Sequence, residues 1–267
     1  MTGDLQGEHQ NMDAARTGGP LISIIIVVRN GITHIERALT SVLSQERGLY
    51  ELIVIDGGST DGTLDILRTF SDEIDYWVTE PDSGIYDAMN KGVTKANGKY
   101  LYFLGSDDVL TVDLRNLTSV LTDPFTIYYG NVRTSRSNRA DGPYSVWRIA
   151  VGTINHQSIF YPIAAFEDAG YSLKYKILAD WAFNLGCFGN KRLRFQYIPY
   201  EIAFYSLAGA SSQVEDGAFL SDRLRLIREN LPIYVYWYAS IRTGLKGLLK
   251  RLFNSSAQGI ARSHPKK

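Results

Sequence analysis

Asp107 and Asp108 close the run Tyr100-Leu-Tyr-Phe-Leu-Gly-Ser-Asp-Asp108, an apolar stretch that stops abruptly on two adjacent carboxylates. The run reads as a buried strand, and in open α/β sheets ligands bind outside the carboxyl ends of the strands. Carboxylates there suit a hard divalent cation. Mg2+ takes one or two of them and fills its remaining positions with water and phosphate oxygens. An Asp-Asp pair serves equally as a turn or a helix cap, and taken alone it favours that plainer role. A second acid, Asp56, follows the run 51–55 and opens Asp56-Gly-Gly-Ser-Thr-Asp-Gly-Thr63, whose glycines let backbone approach a ligand closely. By itself Asp56 is as consistent with a turn as with a binding site. A third, Asp180, stands in Ile177-Leu-Ala-Asp-Trp-Ala-Phe-Asn-Leu-Gly186 at the head of an apolar helical stretch. There it is either a helix cap or a group placed to take a proton.

The elements that must position these residues alternate strand and helix. Residues 21–28 form an Ile/Val run typical of a strand buried on both faces, ending at Arg29-Asn30-Gly31. Thr33 and Glu36 have capping-box spacing, and Ile35, Leu39, Val42 and Leu43 then repeat at helical spacing to Gln45. After the strand at 51–55, Ser59, Thr60 and Asp61 can cap a helix carrying Leu64, Leu67 and Phe70. The loop is not a phosphate-binding P-loop, since no Lys follows Gly62, and it lacks dinucleotide-fold glycine spacing. A third short strand is expected at 75–79. In the second half, strands are expected at 125–132 and 144–149 around a polar loop with Arg133, Arg136 and Arg139, and again at 192–198 and 201–206. The small-residue segment 207–217 reads as a loop. Leu220, Leu224, Ile227 and Leu231 then recur at helical spacing, and Ile241, Leu245, Leu248, Leu249 and Leu252 form a further stripe.

Composition narrows the function class. The chain has 267 residues with 28 Lys plus Arg against 28 Asp plus Glu, so no global charge favours a nucleic-acid partner. A single cysteine, Cys187, excludes an internal disulfide and a Cys-rich metal site, and the cytoplasm is the expected compartment. Residues 1–20 have no apolar core and read as a disordered leader, and no run approaches the ~20 apolar residues of a membrane span. After Glu229 no acidic residue occurs, while Arg242, Lys246, Lys250 and Arg251 lie opposite the last apolar stripe, behind Tyr234, Tyr236, Trp237 and Tyr238. Such a segment either lies on an anionic membrane surface or packs on the domain with a solvated basic face.

Four ordered segments carry a family resemblance: Ser23-Ile-Ile-Ile-Val-Val-Arg-Asn30, Ile55-Asp-Gly-Gly-Ser-Thr-Asp-Gly62, Asp82-Ser-Gly-Ile-Tyr-Asp-Ala-Met-Asn-Lys-Gly92 and Ser106-Asp-Asp108. In order and spacing the chain resembles an inverting family 2 glycosyltransferase of the bacterial exopolysaccharide or lipopolysaccharide type, in a colanic-acid-like branch. The resemblance implies a GT-A fold, an α/β nucleotide-binding sheet with an acceptor-side extension and C-terminal helices. It implies a catalytic domain over 21–219, with a nucleotide-sugar half at 21–110 and an acceptor half at 111–219. C-terminal amphipathic helices at 220–253 and a basic tail at 254–267 follow.

The implied activity is metal-dependent transfer of a sugar from a nucleotide diphosphate, UDP being commonest in the family, to a glycan or lipid-linked acceptor in cell-surface polysaccharide synthesis. On the donor side the resemblance points to Val28, Asn30, Asp56, Asp82, Tyr86, Asn90, Lys91, Ser106 and Asp107. It makes Asp108 the direct ligand of Mg2+ or Mn2+, and Asp180 the base that takes the acceptor's proton. His156, Gln157 and Trp181 fall on the acceptor side, and Ser211 and Ser212 are further donor contacts. Two departures stand out: Met89 replaces an Arg found in many relatives, and Ala179 leaves one acid where a pair is usual. A sugar nucleotidylyltransferase is the first alternative, although the first strand is followed by no basic glycine-rich loop. A noncatalytic membrane-associated scaffold that binds nucleotide sugars is the second.

Overall fold

The computed structural model describes residues 8–10, 19–135, 142–206 and 215–245. Nine strands form one sheet in the order β1-β4-β3-β2-β5-β8-β7-β9-β6. They are β1 (Glu8–Gln10), β2 (Ile22–Val28), β3 (Tyr50–Asp56), β4 (Tyr76–Thr79), β5 (Tyr100–Gly105), β6 (Val109–Leu110), β7 (Thr126–Thr134), β8 (Ile159–Pro162) and β9 (Arg194–Tyr205). The helices are α1 (Ile35–Leu43), α2 (Thr63–Thr69), α3 (Ile85–Lys95), α4 (Val146–Ile149), α5 (Ala179–Gly189), α6 (Gly217–Asn230) and α7 (residues 233–245).

The four central strands β4, β3, β2 and β5 run parallel, and their register sets the site. Val28 lies level with Asp56, Val27 with Gly105, and Asp56 with Thr79. The chain therefore leaves all four strands at one edge, and the loops at 29–31, 57–60, 80–84 and 106–108 converge there. Every residue of β2 is buried because helices cover both sheet faces. The period-2 alternation of a strand sorts the side chains. Ile24 and Ile26 pack with Ile35, Leu39 and Val42 of α1, whereas Ile25 and Val27 pack with Tyr86 and Met89 of α3. A Cβ on Gly92 would stand 2.5 Å from Ile25, so the glycine lets α3 lie close on the sheet.

Beyond β5 the sheet turns antiparallel through β8 and β7, and β9 joins β7 in parallel across a bulge near Gly130. There an added Cβ would meet the Tyr200 carbonyl at 2.6 Å. Four expectations need correction. The leader contains β1, an edge strand antiparallel to β4. The Thr33–Glu36 capping box does not form, because α1 starts after His34 with no side-chain cap and Ile32 N donates instead to Asp61 Oδ2 of the next loop. Residues 144–149 are not a strand: Ser145 caps Arg148 N, and the short α4 follows. The two strands expected at 192–198 and 201–206 are one, β9. Arg136, Arg139, Ser211, Ser212, Lys246, Leu248, Leu249, Lys250, Arg251, Leu252 and the tail 254–267 lie outside the described residues.

Candidate active site

The loops after β2 and β3 are zipped together by backbone N–H groups meeting side chains. Asn30 N donates to Ser59 Oγ at 2.7 Å, Gly31 N to Thr63 Oγ1 at 2.9 Å, and Thr60 N to Asn30 Oδ1 at 2.9 Å. Asn30 adopts a left-handed φ of 53°, which its short amide side chain tolerates while it bridges the loops. Val28 contributes its carbonyl, which accepts from Gly57 N at 2.8 Å. Asp56 anchors the arrangement. Its Oδ2 accepts from Gly58 N at 3.1 Å, Ser59 N at 2.9 Å and Thr79 Oγ1 at 2.6 Å, while Oδ1 accepts from the Ser59 hydroxyl. Asp56 has no exposed surface. It therefore holds the loop directly, and a ligand can reach its carboxylate only by displacing one of these donors.

Asp82 closes over the same loop. Its Oδ1 accepts from Gly84 N at 2.9 Å, and a Cβ on Gly57 would strike its other oxygen. The remaining donor-side candidates on α3 divide. Tyr86 is buried, with its hydroxyl 2.6 Å from the Ile177 carbonyl and 3.1 Å from Asp180 Oδ1, so its one proton serves either acceptor. Burial and the Asp180 charge push its ionisation far above the ordinary phenol value, which keeps it a donor. Asn90 is not turned to the crevice: it clamps Tyr171, donating to its carbonyl at 2.8 Å and accepting from its N–H at 2.9 Å. Lys91 is likewise committed, to Glu80 at 2.8 Å and the Pro81 carbonyl at 2.9 Å. Met89 is buried in the core against the sheet.

Ser106 and Asp107 are partly exposed beyond β5, and Ser106 Oγ would stand 3.6 Å from a Cβ on Gly31, across the boundary between β2 and β5. Here the strand order reverses direction, the place where α/β sheets open a crevice. Asp108 differs from the expectation of an open metal ligand. It has no exposed surface, its Oδ2 accepts from Gln157 Nε2 at 2.7 Å, and its Oδ1 accepts from Ser206 N at 2.8 Å. Burial, with the neighbouring Asp107 charge, pushes the carboxyl up to about 6 against the donors that stabilise its ionised form.

Would a divalent cation fit? A Cβ on Gly105 would run into both the Asp107 and Asp108 carboxylates, so the two acids converge on one glycine. Beside them, Gln157 Oε1 is buried without a hydrogen-bond partner among the described residues. This oxygen-rich set suits a hard cation that takes its other ligands from phosphate. No group of three His, Cys, Asp or Glu side chains gathers among the described residues, so a cation here would depend on the substrate for ligands.

Gln157 and His156 share one 3-10 turn, His156–Ser158, in which the Asn155 side chain accepts from Gln157 N at 3.1 Å. The turn faces both ways. Gln157 reaches Asp108, and His156 Nδ1 lies 3.5 Å from Asp180 Oδ2. Asp180 is the second residue of α5 and not its cap. Its Oδ1 accepts from Trp181 N at 2.8 Å, leaving Oδ2 toward His156. Trp181, expected to face an acceptor, instead packs inward: Nε1 donates to the Ile149 carbonyl at 2.7 Å and the ring lies 4.9 Å from Phe219.

Two contributors had no signal in the sequence. Asp216 caps α6 through Phe219 N at 3.1 Å, and its other oxygen accepts from Ile177 N at 2.9 Å and Leu178 N at 3.1 Å, fixing the entry to α5. Arg37 donates Nη2 to the Asp107 carbonyl at 3.0 Å and brings a guanidinium beside the acidic pair. A cavity of about 380 Å³, lined by Ser44, Gln45, Thr111 and Asp113 among others, shares no residue with this cluster.

Comparison with known proteins bears on the family and the fold. Residues 23–204 match the model of glycosyl transferase family 2. The PGL/p-HBAD biosynthesis glycosyltransferase of Mycobacterium tuberculosis is 38% identical over 213 residues, 75% of this chain and 83% of that protein. An uncharacterized glycosyltransferase of Haemophilus influenzae is 35% identical over 117 residues, 42% of this chain and 47% of that protein. Among solved structures, S. aureus TarS 1-349 in complex with UDP superposes with a TM-score of 0.61 at 19% identity, over 77% of this chain and 64% of that one. Mannosyltransferase PcManGT from Pyrobaculum calidifontis, in complex with GDP-Man and Mn2+, gives 0.58 at 18% identity, over 85% and 65%. This chain thus spans just under two thirds of either solved chain. It belongs to glycosyl transferase family 2 and has the GT-A fold.

Proposed function

We propose that the chain transfers a sugar from a nucleotide diphosphate donor to an acceptor hydroxyl with inversion at the anomeric carbon. The observation that carries this reading is the His156–Ser158 turn, which ties Asp108 through Gln157 and faces Asp180 through His156. A single-displacement transferase needs a base on one side of the reacting carbon and charge stabilisation on the other. Asp180 Oδ2 takes the acceptor proton as the hydroxyl oxygen attacks, and the diphosphate leaves toward Asp107 and Asp108. His156 sets the orientation of Asp180, and Tyr86 steadies its other oxygen. Asp107 and Asp108 would hold Mg2+ or Mn2+, which supplies positive charge to the diphosphate. Asp107 is the accessible member of that pair.

On the donor side, Val28, Asn30 and the 57–59 loop line the nucleobase position, with Asp56 reached by rotation of the Ser59 hydroxyl. Asp82 and Ser106 flank the ribose and diphosphate. UDP is the proposed nucleotide, in keeping with TarS, while GDP-Man in PcManGT marks the alternative. The acceptor is a hydroxyl on a glycan or lipid-linked molecule of cell-surface polysaccharide synthesis. The cytoplasm, where the lone buried Cys187 stays reduced, is the proposed compartment.

A panel of nucleotide sugars, assayed for binding and slow hydrolysis with Mn2+, with Mg2+ and with a chelator, tests this reading without a known acceptor. One UDP-sugar should bind in a cation-dependent manner, and Asp107→Ala should remove that dependence. No binding of any nucleotide sugar under any condition would refute it.

A further inference from the structure

We propose that the outward face of α7, together with Trp147 of α4, is a docking surface for anionic lipid. One face of α7 packs on the domain. Val235 and Ala239 are buried, and Arg223 of α6 donates to Thr243 Oγ1 at 2.6 Å. On the opposite side Ile233, Trp237, Ile241 and Leu245 recur every four residues and are 57%, 60%, 63% and 55% exposed. Residues four apart stack along one helix face, so these four make a continuous apolar stripe three turns long. A helix facing only water would place polar residues there.

Aromatic chemistry extends the stripe. Trp147 lies 5.2 Å from both Tyr234 and Tyr238, and all three rings are at least a third exposed. Trp and Tyr, each an apolar ring with a polar tip, are the side chains favoured at the boundary between hydrocarbon and water. Arg242, exposed beside the stripe, donates to the Tyr238 hydroxyl at 2.9 Å.

Charge selects the occupant. The chain as a whole is neutral, yet after Glu229 it carries seven lysines and arginines and no Asp or Glu. Lys246, Lys250 and Arg251 follow α7 directly in sequence. Basic residues next to an apolar and aromatic face complement an anionic headgroup layer, each contributing on the order of 1 kcal/mol near such a surface. A second copy fits less well. A two-fold contact through this face would bring two copies' exposed Arg242 into one interface with no Asp or Glu of α7 to offset them.

No helix among the described residues is long and apolar enough to cross a membrane, so contact would be through the helix face. The patch also borders the candidate acceptor side, because the Ile149 carbonyl of α4 accepts from Trp181, the residue after Asp180. If the transfer reading of the preceding subsection holds, docking here brings Asp180 toward a lipid-linked hydroxyl. The docking itself does not depend on that reading, and its test uses no sugar donor.

The test is co-sedimentation of the full chain with vesicles of phosphatidylcholine alone or of phosphatidylcholine with about a third phosphatidylglycerol, the anionic case. Binding is expected on the anionic vesicles, weakening in about 0.5 M NaCl as charge is screened. Trp237→Ser with Ile241→Ser should reduce it by at least about tenfold. Both positions are exposed, and an unchanged circular dichroism spectrum and melting temperature would show that the variant folds. Ile241→Arg alone, which keeps every aromatic and adds positive charge, should also weaken binding, separating insertion from simple charge attraction. Three results would overturn the proposal: no binding to anionic vesicles, wild-type binding by the double variant, or a solution dimer that the double variant dissociates while neither protein binds vesicles.

Discussion

Asp56 and Asp108 stand at the ends of strands that neighbours on both sides hold in register, whereas Asp180 stands at the start of a helix placed by side chains. In the nucleotide half, the ladder of β4, β3, β2 and β5 sets the height of every loop, and the buried Ile, Val and Leu of β2 and β3 together with the Tyr, Trp, Leu and Phe of β4 and β5 fill both faces. In the acceptor half the work passes to rings and single polar links. Phe166 stacks on Phe183 at 4.4 Å, Tyr171 lies 5.2 Å from Tyr86, Trp181 ties α5 to α4, and Asp216 pins residues 177 and 178. A backbone ladder shares its strain among many bonds, but a helix held by a few side chains depends on each of them. Substitutions in the acceptor half should therefore disturb folding and catalysis together, whereas those at strand ends should separate the two.

Asp216→Ala is the strongest way to break the acceptor half. It leaves the N–H groups of Ile177, Leu178 and Phe219 without their buried acceptor, and should cost on the order of 2–4 kcal/mol in urea unfolding, with turnover lowered as Asp180 shifts. Burial raises the Asp216 carboxyl, but the N–H donors outweigh it and hold the folded value below the ordinary 3.8. Its stabilisation is thus present above that ordinary value and lost as pH falls through the lower folded one. Wild type should lose stability across that acid window, and Asp216→Ala should lose less.

Asp108→Asn sharpens the contrast with the opposite sign. Asp108 titrates near 6 when folded and near 3.8 when not, so in chelator wild type loses stability as pH rises between those values. The amide should then be more stable than wild type above pH 6 by up to about 3 kcal/mol, and no more stable below about pH 4. Gln157 can accept from the new amide by turning its unpaired Oε1 inward. Thermal melts across pH would show it. An unchanged difference at all pH values would mean that the buried charge is not what strains this strand end.

Asn90→Ala gives the smallest effect. Losing its two bonds to Tyr171 should cost about 1–2 kcal/mol, and donor affinity should stay within about twofold, since Asn90 braces the segment at 170–171 and does not face the crevice. Gly170 shows how tight that brace is, as a Cβ there would lie 2.6 Å from Asn90 Oδ1. A large fall in donor affinity would return Asn90 to the donor side.

The nucleotide half was largely legible in the sequence. Continuous apolar runs, of Ile, Leu and Val before Asp56 and of Tyr, Leu and Phe before Ser106-Asp107-Asp108, announce buried parallel strands and their crevice, because one local pattern determines both. What local pattern did not reveal was occupancy. Asp56 and Asp108 are enclosed by donors from Thr79, Gln157 and Ser206, two of them far along the chain. The acceptor half was legible only at single residues. His156 Nδ1 lies 3.5 Å from Asp180 Oδ2, a meeting that no local pattern specified, while Trp181 turned inward and residues 144–149 formed α4, since Ser145 as a cap outweighed a β-like composition. Asp216 lies 36 residues after Asp180 in a segment of small and polar residues, and nothing local marks it as a brace.

The most direct test of the site is the turnover and donor affinity of Asp180→Asn, measured on the UDP-sugar identified by the binding panel. The amide cannot take a proton, but its Oδ1 can still accept from Trp181 N. The rate of sugar transfer should fall by about 10²- to 10⁴-fold while donor affinity stays within about twofold. Transfer at the wild-type rate would contradict the assignment of Asp180 as the base, and would move the search for that base to another group on the acceptor side of the His156–Ser158 turn.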